Sequence, residues 1–328
     1  MDTNSPAVGL QRFNYFLNQL QIILDKADES ENPALLIFQQ NIRTPFFMLE
    51  ALTRIYKKIY GQKFFKKLNL LFKEMEDSLG VIDYYNGFYN EFISKKNIPA
   101  TVSVLIKKKE EEAIADLNSL LENNNWLGEK RKMIRKILKK LNKISWQPEA
   151  EDAAAVKAIY QDYISSINEK FRKNKILFNS IEKDVHELRR ELRWLSIYPQ
   201  AFRGLMQLHP MEPTENFRKY LTNEIVSSPY NIMPDGTKLE NHIQLNANNF
   251  YALSWLIAEL GKHKDNGLTI IILEETLTEA FKISQGQAEE LAYALAGDPQ
   301  MKMDEILDQS KKIATTFFTE KNLEALVG

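Results

Sequence analysis

The chain has 328 residues, 44% hydrophobic and 27% charged, enough to bury one large core or two of common size in an ordinary globular protein. It contains no cysteine, so disulfides and thiolate-held zinc or iron-sulfur centres are excluded. The formal net charge of -1 hides an asymmetry, because residues 1–148 hold 23 Lys and Arg against 17 Asp and Glu, and residues 149–328 hold 20 against 27.

The opening MDTNSPAVGLQRF has neither the basic start nor the apolar run of a secretion signal. No stretch approaches the roughly 20 apolar residues that span a bilayer, so a cytoplasmic protein with no membrane partner is expected. Leu10, Phe13, Leu17, Leu20 and Leu24 then recur at spacings of three and four, which makes one apolar helix stripe. Similar stripes follow at 46–60, 64–79, 104–121, 133–144, 156–178 and 181–198. Pro45 suits a helix that starts or kinks just after Arg43. Arg54 to Lys73 carries seven basic residues and no acidic one, and Lys130 to Lys143 carries eight basic residues. SWQPEAED, 145–152, joins a proline to polar residues where the charge changes sign. It is the expected boundary between domains 1–148 and 149–328.

Farther on, 209–246 reads as a long insertion, irregular from 227 and with a turn signal at Pro234-Asp235-Gly236. LTIIIL, 268–273, is apolar enough for a strand, but Leu273, Leu277 and Phe281 keep the four-residue spacing and favour a helix. Leu79-Gly80 and Leu260-Gly261 are each followed within a few residues by Asp, at Asp83 and Asp265. A glycine C-cap and an aspartate N-cap are the expected roles, so both stretches are expected to end helices. Their recurrence after comparable helices suggests a duplicated helical bundle. The expected fold is therefore all-α, with two related antiparallel bundles.

VHELRRELRWLSIY, 185–198, holds one of only four histidines. At 100° per residue His186, Arg189, Arg190 and Arg193 fall within a sector of about 100°, nearly opposite Ile181, Val185, Leu188, Leu192 and Leu195. One meaning is a solvated face, with Glu182, Glu187 and Glu191 as local partners at about 0.3–0.5 kcal/mol per pair. The other is an anion-binding face, because guanidinium forks match phosphate oxygens and a histidine adds a donor that titrates near neutrality.

His186-x-x-Arg189-x-x-x-Arg193 with Leu260-Gly261-x-x-x-Asp265 resembles the second-half signature of the CHAD family, the conserved histidine α-helical domains. The resemblance covers about Leu10 to Ala325. It implies two related helical bundles with a basic groove between them and binding of inorganic polyphosphate or another phosphate-rich anion. On the first half it keeps only Arg43, since Gln40, Asn41 and Pro45-Phe46-Phe47-Met48 replace the expected histidine and arginines. Trp194 and Ser196 stand where basic residues are frequent, and Asp83 lies one residue nearer its Leu-Gly than the pattern asks. Arg54, Lys57 and Lys58 are candidates to make up the missing charge.

No catalytic set is expected. Glu-x-x-His precedes none of the histidines, and there is neither a phosphate loop nor a Gly-x-Gly-x-x-Gly turn. His209, His242 and His263 sit singly. The function expected is non-enzymatic binding of polyphosphate through His186, Arg189, Arg190, Arg193, Arg43, Arg54, Lys57 and Lys58, without metal or cofactor. The alternatives are a scaffold of the same fold using 209–246 for a protein partner and, less favoured, nucleic-acid binding.

Overall fold

The computed structural model describes residues 7–128, 132–297 and 301–327, and these are predominantly α-helical. The chain divides into two compact units, Met1–Asp152 and Ala153–Gly328.

In the first unit α1 (Val8–Ala27), α2 (Pro33–Gln39), α3 (Arg43–Tyr60), α4 (Lys63–Ser94), α5 (Ala100–Asn123) and α6 (Lys132–Leu141) pack around an aromatic core. α3 and α4 form a hairpin through Gly61, whose φ of 62° is the left-handed helix end that glycine adopts without a Cβ clash. Leu10, Phe13, Leu17, Leu20 and Leu24 are all buried, as their spacing requires. Phe13, Tyr56, Phe65 and Trp146 pack with ring centroids 5.3–6.1 Å apart. A buried ion pair locks this core. Arg12 Nη1 donates to Asp152 Oδ2 at 2.5 Å and to Tyr56 Oη at 2.7 Å, while Tyr56 donates to Asp152 Oδ1 at 3.0 Å. Removing one partner of such a pair costs about 3–5 kcal/mol, because the other charge stays buried.

Asp152 comes from α7 (Glu149–Arg172), so SWQPEAED contains the first turn of a helix as well as a linker. The stripe at 156–178 stops short, with α7 ending at Arg172. The rest of the second unit comprises α8 (Glu187–Ala201), β1 (Met206–His209), α9 (Asn223–Val226), β2 (Ile243–Asn246), α10 (Ala247–Phe281), α11 (Gln285–Ala296) and α12 (Met303–Thr319). α10 is the central helix, touching α8, α11 and α12. It absorbs LTIIIL as helix, as the Leu273–Leu277–Phe281 spacing indicates. Pro199 leaves no N–H for the carbonyl of Leu195, four residues back, and the Tyr160 hydroxyl donates to that carbonyl instead at 2.9 Å.

The 209–246 segment is more ordered than an insertion loop. β1 and β2 pair in parallel, Met206 with Ile243 through His209 with Asn246, and Val327 bridges to Leu245. Both strands alternate apolar and polar residues, MQLH and IQLN, but four residues is the lower limit at which alternation marks a strand. Between them Tyr220 is buried and donates to Glu320 Oε2 at 2.5 Å, and Asn231 Nδ2 donates to the carbonyl of Ile225 at 2.7 Å. Gln200 Nε2 donates to the carbonyls of Tyr230 and Ile232 at 3.1 and 2.9 Å. Among the described residues no helix is long and apolar enough to cross a membrane.

Two expectations need correction. Leu79-Gly80 and Leu260-Gly261 do not end helices; both lie inside them, in α4 and α10. A glycine in a helix interior costs about 1 kcal/mol against alanine, which is why it reads as a terminus locally. The compensation is tertiary, since each glycine lies under an arginine of a neighbouring helix. The stripe at 181–198 is also not one regular helix. It opens with a wider π turn, Ile181–His186, in which Val185 N donates to the carbonyl of Ser180, five residues back, at 3.3 Å.

Candidate functional site

α8 and α10 build the site in the second unit. α10 supplies two gaps in its side-chain surface. A Cβ on Gly267 would lie 2.5 Å from Ile181 Cγ1, and a Cβ on Gly261 would lie 3.0 Å from Arg189 Nε. The first gap seats the π turn and the second seats the arginine, so the register of α8 on α10 is fixed at two points. His186 is the last residue of the π turn, where helical irregularities often carry functional side chains.

Arg189 is half-buried against α10, and its Nε donates to the carbonyl of Ile257 at 3.1 Å. Among the described residues its two terminal nitrogens have no hydrogen-bond or ion-pair partner. Burial lowers its pKa and Asp265 works in the opposite direction, but the Asp265 carboxylate pairs with Lys264 Nζ at 2.7 Å. The guanidinium thus keeps its charge with its forked end uncommitted. Arg190 is exposed and held by Glu187 Oε2 at 2.5 Å. Arg193 lies one turn after Arg189 and is half-buried.

His186 is pushed down to about 4, first by burial, then by Lys264, Arg190 and Arg189, with Glu182 the opposing acid. The expected titration near neutrality is therefore overturned, and the ring is neutral at pH 7. Its nitrogens make no hydrogen bond among the described residues. Arg189 also departs from the wheel, because it turns inward onto Gly261 and does not share an outer rim with the exposed Arg190.

The structure thus brings His186, Arg189 and Arg190 together and adds Lys264, which sequence reasoning passed over. Lys264 stands inside the stretch Leu260 to Asp265, and a helix end at Gly261 would leave its side chain without a direction. Once α10 is continuous, Lys264 lies three residues after Gly261 and on a neighbouring face.

The first-half candidates lie in the first unit and are committed differently. Arg43, the first residue of α3, crosses Gly80 of α4, whose Cβ would lie 2.9 Å from Arg43 Nη2. Its Nε and Nη2 reach Glu76 Oε1 at 2.9 and 2.7 Å, and its Nη1 reaches Asp83 Oδ2 at 2.6 Å. Arg54 faces Glu50 at 3.6 Å, and Lys57 Nζ donates to Asn69 Oδ1 at 2.6 Å. Burial, then Arg54, lowers the Lys57 pKa. Lys58 is exposed. The Lys139 and Lys140 end of the other basic run belongs to α6, while Lys130 and Arg131 lie outside the described residues.

The remaining histidines are single. His263 Nδ1 meets Ser310 Oγ at 2.9 Å, and that hydroxyl donates onward to the carbonyl of Ile306 at 2.7 Å, which occupies its only proton in a helix bond. Among the described residues no group of three or more histidine or acidic side chains gathers as a metal site. Comparison of the chain with protein-family models, with curated proteins and with solved structures found no significant match.

Proposed function

We propose that this is a non-enzymatic helical protein that binds a phosphate-rich anion, with inorganic polyphosphate the first candidate, as the resemblance to the CHAD family implies. The site is His186, Arg189, Arg190 and Lys264, with Arg193 extending it along α8. One observation carries the reading. Arg189 is seated by a glycine gap and a single carbonyl bond, so its terminal donors point nowhere within the described chain while Arg190 and Lys264 flank it. An arginine left in this state, with the neighbouring Asp265 carboxylate paired to Lys264, favours an oxyanion that accepts its forked donors. His186 reinforces this. A bound phosphate adds negative charge beside the ring, so binding raises its pKa and takes up a proton, and affinity increases as pH falls toward about 4.

The test is a titration of the purified chain with long-chain polyphosphate, RNA and duplex DNA at two salt concentrations. Polyphosphate is expected to bind, more weakly at the higher salt because counterions are released. Arg189→Gln removes charge-assisted hydrogen bonds of about 1.5–3 kcal/mol, a loss of roughly 10- to 100-fold. Lys139→Gln with Lys140→Gln leaves affinity within about 2-fold, since exposed charges count for little. Absence of polyphosphate binding at low salt overturns the reading.

A second reading, docking of a protein partner on 209–246, is favoured by one feature of that segment. Met211, Val226, Tyr230 and Ile232 are 52%, 44%, 72% and 65% exposed. Tyr230→Ser with Ile232→Ser leaves polyphosphate binding unchanged if the two surfaces serve different ends.

A further inference from the structure

Arg43 and Arg189 occupy matching places. Each lies near the start of a helix, crosses the next long helix of its unit at a glycine, and would meet a Cβ there at 2.9 or 3.0 Å. They differ in what stands around the guanidinium. Four residues before Gly80 is Glu76, whose carboxylate binds Nε and Nη2; four residues before Gly261 is Ile257, which offers only its backbone carbonyl to Nε. Three residues after Gly80 is Asp83, which binds Nη1 at 2.6 Å; Asp265 follows Gly261 by four, and its carboxylate pairs with Lys264. One residue turns a helical side chain by about 100°, enough to move a carboxylate off the guanidinium. All three nitrogens of Arg43 are engaged by acids, while among the described residues Arg189 uses one, on a neutral carbonyl.

The geometry points to Arg43 as an anion seat that the first unit closes with its own carboxylates, Glu76 and Asp83 standing where an external oxyanion would otherwise bind. The inference rests on reading Arg189 as the open form of the same seat. Its consequence is stoichiometric: each chain takes one small polyanion, in the second unit, and neutralising the internal acids uncovers a second place in the first. The Arg43 side chain is 31% exposed and that of Asp83 60%, so solvent reaches the seat once the acids no longer hold it.

Calorimetric titration of the full chain with tripolyphosphate, at about 0.15 M salt to screen exposed basic runs, decides it. Wild type is expected to bind one equivalent, lost in Arg189→Gln. Glu76→Gln with Asp83→Asn is expected to bind two, of which one survives Arg189→Gln and disappears with Arg43→Gln. A double variant that keeps its helical circular dichroism and cooperative melt but still binds one equivalent overturns the inference and leaves the Arg189 site standing. A wild type that binds none, beside a double variant that binds one through Arg43, overturns the proposed function and upholds the plug. Should the double variant fail to fold, Asp83→Asn alone, at an exposed position, must show a weaker second site; its absence also overturns the inference.

Discussion

Glu50 is a single residue whose burial sets a pH dependence of stability. It lies on α3, is 2% exposed, and faces Arg54 at 3.6 Å. Burial, partly offset by Arg54 and then aided by Glu76, raises its pKa from 4.5 to about 7, with Lys73 lowering it and Asp77 raising it further. The folded form prefers the protonated acid. Its stabilising effect is complete below about 4.5 and is lost as pH rises through about 7. At pH 8 the fold carries an ionised buried carboxylate, a burden of at most about 3 kcal/mol for a shift of this size. Glu50→Gln keeps the shape without the charge. Urea unfolding should therefore find the variant more stable than wild type at pH 8, by up to that amount, and nearly equal to it at pH 5. Equal midpoints at both values would mean that Glu50 is already solvated in the folded chain.

At the scale of the element, the glycines separate helix propensity from packing. Gly87 of α4 has nothing within 4 Å of the place its Cβ would take, whereas Gly267 of α10 faces Ile181 carbons at 2.5 and 2.7 Å. Gly87→Ala should therefore stabilise by about 0.5–1 kcal/mol through reduced chain freedom alone. Gly267→Ala gains the same propensity but forces the π turn outward, and overpacking of this kind costs about 1–3 kcal/mol. Thermal melts of the two variants should move in opposite directions, and a stabilised Gly267→Ala would show that the π turn is loosely seated. The same contrast explains what was legible in sequence. Stripes at three- and four-residue spacing announce helices because each helix hides one face, and Leu10 through Leu24 follow that rule, as do Leu188, Leu192 and Leu195 of α8, where Trp194 is buried off the stripe. Gly80 and Gly261 misled because their benefit comes from Arg43 and Arg189, far off in the chain, while their cost is local. β1 and β2 alternate over only four residues each, a weak signal, and their parallel pairing is fixed by partners across a long crossover. Of the proposed site, the nearness of His186, Arg189 and Arg190 was legible; Lys264, the inward turn of Arg189 and the carboxylates on Arg43 required the packing.

Across the whole molecule the two units carry titrating groups of opposite sign. In Met1–Asp152 the dominant one is Glu50, whose raised pKa makes that unit more stable as pH falls from 8 to 5. In Ala153–Gly328 it is His186, held at about 4 by burial and by Lys264, Arg190 and Arg189, with His263 lowered by burial in the same direction. A folded pKa below the ordinary 6.5 contributes stability that is complete above about 6.5 and is lost as pH falls toward 4. Acidification should thus strengthen the first unit and weaken the second. Hydrogen exchange followed by mass spectrometry, corrected for the intrinsic pH dependence, reads each unit without mutation. Between pH 8 and 5, protection in the buried stretches of α3 and α4 is expected to rise relative to those of α8 and α10. Saturating polyphosphate should reverse the second half of that trend, because an anion beside His186 stabilises its protonated form and the folded state that binds it. Protection that changes equally in all four helices would mean that the chain opens as one cooperative body, and a trend in α8 and α10 unaffected by polyphosphate would separate His186 from the proposed anion site.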